Sequence, residues 1–256
     1  MDRFRYLFKL SYHGVLFSGS QKQRKEQTVY GILERLLSRL FHNDVTCVPC
    51  GRTDVGVHAD QSYCHCDFLF EFEPKNIISS LNKASLKYGL VIHSIQMVPQ
   101  SFHALSSVKS RRYKYYFTFD SLVPTYLLHS ITLVSKPALF LPTSLELSRL
   151  LKGNRNFFSL CNYSASTKTY MRFIYDVEFT SFSYQSIDGE CVQMHCISVC
   201  ANGFLYKMMR HIMGILLHSM VNFTNMSRLN DYILINRPFV YALAPVQGLR
   251  LVEVNY

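Results

Sequence analysis

The sequence has few charged side chains, and acidic ones are the scarcer kind. Charged residues occupy 17% of the 256 positions, with 27 Lys and Arg against 17 Asp and Glu, which gives a formal net charge of +10. Such a basic excess makes polyanions the first partners to consider, with simple solubility as the alternative. An apolar content of 48% suffices for a sizeable core and excludes a chain that is disordered throughout.

Long apolar runs are also missing. No stretch reaches the roughly 18 apolar residues typical of a membrane-spanning helix. The first 17 residues are interrupted by Arg3, Arg5, Lys9 and His13, so they do not resemble the apolar core of a secretion signal. We therefore expect a cytoplasmic protein whose eight cysteines are reduced thiols, most of them in the core.

The apolar periodicity predicts an α/β (α+β) fold of two similar halves, residues 1–107 and 108–256. The first half follows the order β-α-β-β-α-β, the ferredoxin-like unit, and the second repeats it with an extra helical segment at Arg228–Ile235. The predicted strands are 4–12, 45–48, 62–70, 90–98, 112–119, 172–180, 190–201 and 249–254. The predicted helices are 29–41, with Thr28 as N-cap, 74–86, 144–151 and 204–223.

Positive charge is concentrated in the second half of the sequence. Residues 1–107 contain 12 basic and 9 acidic side chains, whereas residues 108–256 contain 15 and 8. We therefore predict that a polyanion would contact mainly the second half. A cleft between two sheet-bearing halves is a natural place for a bound ligand.

The segment Gly51–Ala59 (GRTDVGVHA) concentrates chemically active side chains between flexible glycines. Arg52 and Asp54 are two positions apart, so they share one face in extended geometry. A neighbouring cation lowers the pKa of a carboxyl group, and an ionised carboxylate can act as nucleophile or general base. The alternative is a surface salt bridge in a turn.

Five blocks of the sequence resemble, in order, the motifs of the TruA family of tRNA pseudouridine synthases. The blocks are Phe17–Gln23 (FSGSQKQ), Gly51–Ala59 (GRTDVGVHA), Phe102–Ala104 with Ser110–Tyr115 (FHA and SRRYKY), Ala201–Gly214 (ANGFLYKMMRHIMG) and Ala244–Leu249 (APVQGL). The resemblance spans nearly the whole chain. It implies the pseudouridine synthase fold, with two ferredoxin-like halves that form a central mixed sheet.

The resemblance also implies the reaction and its site. Such enzymes isomerise uridine at positions 38, 39 and 40 of the tRNA anticodon stem-loop, without a cofactor, and they work as homodimers. Asp54 matches the nucleophile, which attacks C6 of the base or C1′ of the ribose. Tyr113 matches the tyrosine that lies against the uracil and can accept the C5 proton. Arg52 matches the arginine that displaces the target nucleotide, and Arg210 matches the partner of the catalytic carboxylate.

The residue types agree with these roles. A flipped uracil needs a stacking surface with a polar edge, which tyrosine supplies. Arg210 shares a helix face with Lys207 and His211, so that this face is cationic, although a solvated helix face is the simpler explanation. Basic residues among aromatics in Lys109–Tyr116 predict phosphate contacts by Lys109, Arg111 and Arg112, with Tyr113 and its neighbours as core residues in the alternative interpretation.

Two positions depart from the family pattern. Leu105 occupies the place of a usual arginine, so Lys109 or Arg111 would have to supply the missing phosphate contact. Ser20 occupies the place of a usual tryptophan, in a chain that contains no tryptophan at all. That exchange predicts weaker packing of the loop.

Two other hypotheses come from different classes. Cys47, Cys50, Cys64, His65 and Cys66 offer enough thiolate and imidazole ligands for zinc. They fall in predicted strands without turn residues between them, so we expect core thiols and no metal site. The other hypothesis is a non-catalytic tRNA-binding homologue that assists tRNA folding, and replacement of Asp54 separates it from an enzyme.

Overall fold

The computed structural model describes residues 3–24, 26–165, 167–186, 189–222 and 242–256. Within these ranges the helices are α1 (Val29–Phe41), α2 (Pro74–Ser85), α3 (Ser144–Leu151) and α4 (Met208–Asn222). The strands are β1 (Phe4–Tyr12), β2 (Val48–Pro49), β3 (His58–Phe68), β4 (Leu90–Val98), β5 (Ser110–Thr118), β6 (Thr132–Leu133), β7 (Gly153–Asn156), β8 (Met171–Gln185), β9 (Cys191–Ala201) and β10 (Leu249–Asn255). In these ranges no helix has the length and apolar composition needed to cross a membrane.

The chain forms two compact units. The first unit comprises Met1–Lys109 together with Arg250–Tyr256, and the second comprises Ser110–Leu249. The predicted halves placed the last seven residues with the second half. They belong to the first unit because β10 pairs in parallel with β3, with Arg250 opposite His58 and Leu251 opposite Ala59.

In the first unit, β1 lies between β3 and β4 and is antiparallel to both. The alternate residues Tyr6, Phe8, Leu10 and Tyr12 are buried, as expected for a strand with one face in the core. Helix α1 begins where the Thr28 hydroxyl accepts the Gly31 backbone N–H at 3.3 Å, which confirms the predicted N-cap. Its apolar stripe is buried, including Ile32, Leu33 and Leu37.

In the second unit, β9 lies between β5 and β8 and is antiparallel to both, and β7 continues the sheet beside β8. Short strand β6 runs parallel to β5. Helix α3 has a complete capping box, in which Thr143 and Glu146 satisfy each other's backbone N–H groups. Helix α4 is buried on almost every side, and its partly exposed positions include Arg210, His211 and His218.

The predicted fold class is confirmed, and the differences are the two short strands β6 and β7, which were not predicted, and several element boundaries. Strand β2 begins at Val48 rather than Val45 because the Cys47 N–H donates to Glu34 instead of to a strand. Helix α4 begins at Met208 rather than Phe204 because Lys207 has a φ of +59°, a left-handed conformation that interrupts helical geometry. The predicted segment Arg228–Ile235 lies outside the described residues.

Candidate active site

The Asp54 loop connects β2 to β3 and is held through Thr53. The Thr53 backbone N–H donates to the Ser20 hydroxyl at 2.9 Å, and the Ser20 N–H donates to the Thr53 carbonyl at 3.2 Å. The Thr53 hydroxyl and the Tyr12 hydroxyl share a further hydrogen bond at 2.8 Å. The residue before Asp54 is therefore fixed through its backbone and its side chain.

Close backbone packing holds the other end of this loop. The Val57 N–H donates to the Asp54 carbonyl at 3.2 Å, and Gly56 between them has a φ of +83°, which glycine adopts without strain. A Cβ atom at Gly14 would lie 2.1 Å from the Val57 carbonyl oxygen, so only glycine permits this approach. Arg52 is exposed and Asp54 is partly exposed, so solvent reaches both side chains.

Three histidines of the first unit accept backbone hydrogen bonds through Nδ1. His58 Nδ1 accepts the Gly14 N–H at 3.3 Å, and His103 Nδ1 accepts the N–H groups of Leu105 and Ser106 at 3.2 and 3.3 Å. His65 Nδ1 accepts the Ala104 N–H at 3.1 Å. Burial, reinforced by the charge of Arg5, lowers the pKa of His65 to about 4.

Tyr113 and its neighbours alternate across strand β5. Tyr113 is 9% exposed, and its ring meets Phe204 edge to face with centroids 4.9 Å apart. Arg111 lies on the Tyr113 face, since strand residues two apart share a face, whereas Arg112 lies on the opposite face. There Arg112 Nη1 lies 3.0 Å from Asp176 Oδ2 and donates to the Ser198 hydroxyl at 3.1 Å, partners that the sequence does not reveal.

Arg210 lies in the first turn of α4 and is fixed by the segment after residue 241. Its Nε donates to the Ala244 carbonyl at 2.8 Å, and the Ala244 N–H donates to the Arg210 carbonyl at 3.1 Å. The neighbouring Pro245 carbonyl accepts the Tyr115 hydroxyl at 2.9 Å. The bond from Nε to the Ala244 carbonyl therefore fixes one edge of the Arg210 guanidinium group.

Helix α4 packs closely against that segment. A Cβ atom at Gly214 would lie 2.4 Å from the Ala242 carbonyl oxygen, so the contact requires glycine. His211, next to Arg210, bonds Asn162 through Nε2 at 2.7 Å, and burial followed by the charges of Lys207 and Arg210 lowers its pKa. The Lys207 ammonium lies 5.1 Å from the centre of the Tyr206 ring.

Two further positions concern RNA contact. Lys109 is exposed, and its backbone N–H donates to the Asn255 carbonyl at 2.8 Å. Leu105 is 51% exposed, and an aliphatic side chain there has no group that could bind phosphate.

The structure brings together three of the five residues considered for zinc. The Sγ atoms of Cys47, Cys64 and Cys66 lie within 4.8 Å of one another, and all three residues are buried. Cys50 instead accepts the Tyr63 N–H at 3.3 Å, and His65 lies on the opposite face of β3. Burial raises the pKa of Cys47 and Cys64, whereas at Cys66 hydrogen bonds from those two thiols outweigh burial and lower the pKa.

The predicted catalytic residues are divided between the two units. Asp54 and Arg52 belong to the first, and Tyr113 and Arg210 belong to the second. Sequence reasoning missed the residues that hold them, namely Ser20, Tyr12 and Tyr115. Of these three, only Ser20 could have been noticed in the sequence, because it departs from the family pattern. In the structure Ser20 is 1% exposed.

Known proteins resemble this chain along nearly its full length. The sequence profile of the tRNA pseudouridine synthase family matches residues 147–256. tRNA pseudouridine synthase A of Ruminiclostridium cellulolyticum is 30% identical over 249 residues, which cover 96% of this chain and 97% of that protein. The enzyme of the same name from Shouchella clausii is 30% identical over 254 residues, covering 98% and 93%. That from Chlamydia trachomatis is 30% identical over 220 residues, covering 83% and 77%.

This chain belongs to the tRNA pseudouridine synthase family. As a tRNA pseudouridine synthase it is an isomerase that takes part in tRNA processing, as the sequence blocks predicted. The family profile includes Arg210 and α4, whereas the Asp54 loop lies outside the matched range.

Proposed function

We propose that this enzyme converts uridine to pseudouridine at positions 38, 39 and 40 of the tRNA anticodon stem-loop, with Asp54 as the nucleophile. The observation that carries the proposal is the bracing of the Asp54 loop. Ser20 and Tyr12 fix Thr53, while Asp54 beside it remains partly exposed. A carboxylate on a rigid, solvent-reached loop is suited to attack a substrate that enters from outside.

The isomerisation needs no external reactant. The bond between C1′ of the ribose and N1 of the uracil breaks, and a bond between C1′ and C5 forms after the base has turned. C5 loses a proton and N1 gains one, so atoms and electrons balance. Asp54 serves as the covalent nucleophile, at C6 of the base or at C1′ of the ribose, and it is released when the new bond forms.

In this proposal Arg52 displaces the target nucleotide and Tyr113 stacks against its base. Chemistry at a glycosidic bond within a stem requires the nucleotide to leave the stack, at a cost of a few kcal/mol. Exposed Arg52 takes the vacated place, and the Tyr113 ring lies against the flipped uracil. The edge-to-face contact with Phe204 fixes the plane of the Tyr113 ring, which supports both stacking and proton transfer from C5.

Arg210 is the proposed ionic partner of Asp54. A cation in the first turn of a helix is disfavoured by the helix dipole, so its placement there calls for an anion nearby. Its Nε is bound to Ala244, which orients the remaining N–H groups of the guanidinium for a carboxylate. Lys109, Arg111 and Lys207 are the proposed contacts to the RNA backbone, whereas Arg112, also predicted from the sequence, pairs with Asp176 on the opposite face of β5.

The proposal includes a homodimer, as the resemblance implies, and the cytoplasmic location that the sequence pattern predicts. Light scattering at the concentration used for assays tests the dimer, and a purely monomeric enzyme that is fully active would exclude it.

Pseudouridine mapping on bulk tRNA tests the reaction, its positions and the nucleophile. Wild-type enzyme is compared with Asp54→Asn, which keeps the side-chain shape, and with Asp60→Asn as a matched control. Asp60 is an exposed carboxylate that pairs with Arg250 at 3.2 Å. Signal in the anticodon stem-loop is expected with wild type and Asp60→Asn and should be absent with Asp54→Asn.

Binding of the same tRNA, measured at two salt concentrations, separates the alternatives. Asp54→Asn is expected to bind tRNA as wild type does, because the substitution leaves the phosphate contacts intact. Turnover by Asp54→Asn would overturn the nucleophile assignment. Modification at other positions would retain the reaction and correct the substrate site. Salt-sensitive binding without any modification by wild type would favour the non-catalytic tRNA-binding homologue.

A further inference from the structure

Three buried thiols in the first unit form a cluster that the pseudouridine reaction does not use. The Sγ atoms of Cys47, Cys64 and Cys66 lie within 4.8 Å of one another, and those of Cys47 and Cys66 are 3.3 Å apart. Around a single ion with metal–sulfur bonds of about 2.3 Å, three sulfurs lie roughly 3.8–4.0 Å apart. Small rotations of the side chains would therefore bring all three into coordination.

The backbone presents these thiols without help from a metal. Cys64 and Cys66 are two positions apart on β3, so they point to the same face of the strand. Cys47 reaches them from the segment before β2, where the buried Glu34 carboxylate accepts the Cys47 N–H at 2.8 Å. Pairing of Val48 with His65 fixes the register of this segment against β3. The ligand set is thus organised in advance, as a selective metal site requires.

The donor set selects the kind of ion. Thiolates are soft ligands that favour Cu(I) and Zn²⁺ over Mg²⁺, Ca²⁺ or Mn²⁺. Within the described ranges, no fourth His, Cys, Asp or Glu joins the cluster. A three-coordinate arrangement suits Cu(I), whereas Zn²⁺ would add a fourth donor to reach its tetrahedral geometry.

A surface cavity lies close to the cluster. The cavity measures about 800 Å³ and is lined by residues that include Lys22, Glu34, Val45 and Thr46. Thr46 is the chain neighbour of Cys47, and Cys47 itself is 8% exposed. No cysteine is among the lining residues, and Glu34 pairs there with Lys22 at 2.7 Å, so the cavity brings solvent as far as the chain neighbour of the first thiol.

We propose that Cys47, Cys64 and Cys66 bind one soft, thiophilic d10 metal ion, Cu(I) or Zn²⁺, which ties the segment before β2 to strand β3. The site lies apart from the residues assigned to the isomerase reaction, so it does not depend on the proposed function. It is an alternative to the expectation from sequence that these cysteines are core thiols alone.

Metal uptake by the full-length protein tests the proposal. Reduced protein is titrated under anaerobic conditions with Cu(I) and, separately, with Zn²⁺, and bound metal is counted by native mass spectrometry. The thiolate-to-copper charge-transfer absorption reports Cu(I), and Co²⁺ in place of Zn²⁺ reports coordination number through its visible spectrum. One equivalent is expected in wild type, with a rise in the melting temperature, since an ion that binds the folded state stabilises it.

Serine and alanine variants assign the site. Cys47→Ser and Cys66→Ser are each expected to lose the tightly bound equivalent and the rise in melting temperature. Cys50→Ser and Cys191→Ser, a buried and an exposed control, should keep both. Should Cys66→Ser fail to fold by circular dichroism, Cys66→Ala, which leaves no buried hydroxyl, replaces it.

The outcomes are distinct. Uptake of Cu(I) alone supports a three-coordinate site, and uptake of Zn²⁺ with a tetrahedral Co²⁺ spectrum supports a site with a fourth donor. Failure to retain either ion at one equivalent would overturn the proposal. Equal loss of metal in Cys50→Ser or Cys191→Ser would overturn it as well, because the uptake would then be spread over all thiols.

Discussion

Single hydrogen bonds decide how firmly the Asp54 loop is held. Ser20 accepts the Thr53 N–H, and it replaces an aromatic residue whose absence predicted a looser loop. Ser20→Ala leaves the Thr53 N–H without its buried partner, which costs about 1 kcal/mol. We expect kcat for pseudouridine formation to fall about tenfold while KM for tRNA changes little, because Ser20 positions the proposed nucleophile Asp54 and is not among the proposed RNA contacts.

Ser18→Ala is the matched control for this variant. The Ser18 hydroxyl lies in the same loop but donates to Glu26 on the surface, at 2.8 Å, rather than to the Asp54 loop. Its kinetics should equal those of wild type. Equal loss of kcat in both variants would show that kcat depends on the loop as a whole rather than on the Ser20 hydrogen bond.

His65 links stability to pH. Its pKa is lowered from 6.5 to about 4 in the folded protein by burial and by the charge of Arg5. The unfolded chain therefore takes up a proton first as the pH falls below 6.5, so the contribution of His65 to stability is present above pH 6.5 and is lost between pH 6.5 and 4. The loss amounts to at most about 3 kcal/mol.

Denaturant unfolding at several pH values measures this effect. In His65→Asn, whose amide oxygen can still accept the Ala104 N–H, the free energy of unfolding should fall less steeply between pH 6.5 and 4 than in wild type. Gln96→Asn, at an exposed position of β4 without an ionisable group, should retain the wild-type slope. Identical slopes in all three proteins would contradict the assignment.

At the scale of elements, the contact of α4 with the segment after residue 241 orients Arg210. In Gly214→Ala the new Cβ would meet the Ala242 carbonyl at 2.4 Å, so this segment must shift and carry the Ala244 carbonyl away from Arg210 Nε. We expect kcat to fall about tenfold to a hundredfold, since small displacements of catalytic groups have effects of this size. Single-turnover kinetics measure the change.

A folded Gly214→Ala protein with this reduced kcat is the result that the explanation requires. Circular dichroism and the melting temperature establish the fold, and tRNA binding establishes that the substrate still docks. Full activity in a folded variant would mean that the Ala244 contact does not orient Arg210.

Element positions were predictable wherever apolar periodicity was strong. Strand β4 and helices α1 and α3 have the bounds that the pattern predicts, because each has a clear apolar face and helix α1 has a capping residue. Strand β7 was missed, since its sequence Gly-Asn-Arg-Asn contains no apolar residue, and it forms only because β8 offers a partner. The start of α4 depends on one left-handed residue, Lys207, which no local pattern indicates.

The candidate site residues were predictable from the motifs, but the contacts that hold them were not. The five blocks named Asp54, Tyr113 and Arg210, but the supporting contacts join residues far apart in sequence. Ser20 and Thr53 are 33 positions apart, and Arg210 and Ala244 are 34 apart. Periodicity and spacing describe only near neighbours, so these supports required the structure.

At the scale of the whole molecule, net charge governs the encounter with tRNA. A protein of charge +10 that binds a polyanion releases counterions, so its affinity falls as salt rises. Arg111 shares the face of Tyr113, whereas Arg112 pairs with Asp176 on the other face. We therefore expect Arg111→Ala to lower the slope of log Kd against log salt by about one and Arg112→Ala to leave it unchanged.

Filter binding of tRNA across a salt series measures both slopes. Lys152→Ala, at an exposed lysine outside the proposed contacts, serves as the control. A larger decrease with Arg112→Ala than with Arg111→Ala would assign RNA binding to the opposite face of β5.

The placement of β10 determines when the sheet of the first unit can be completed during synthesis of the chain. Strand β3, which follows the Asp54 loop, pairs with Arg250 and Leu251. The ribosome therefore delivers the loop well before the pairing partner of its strand. The nascent first unit keeps an incomplete sheet edge until the second unit has been synthesised.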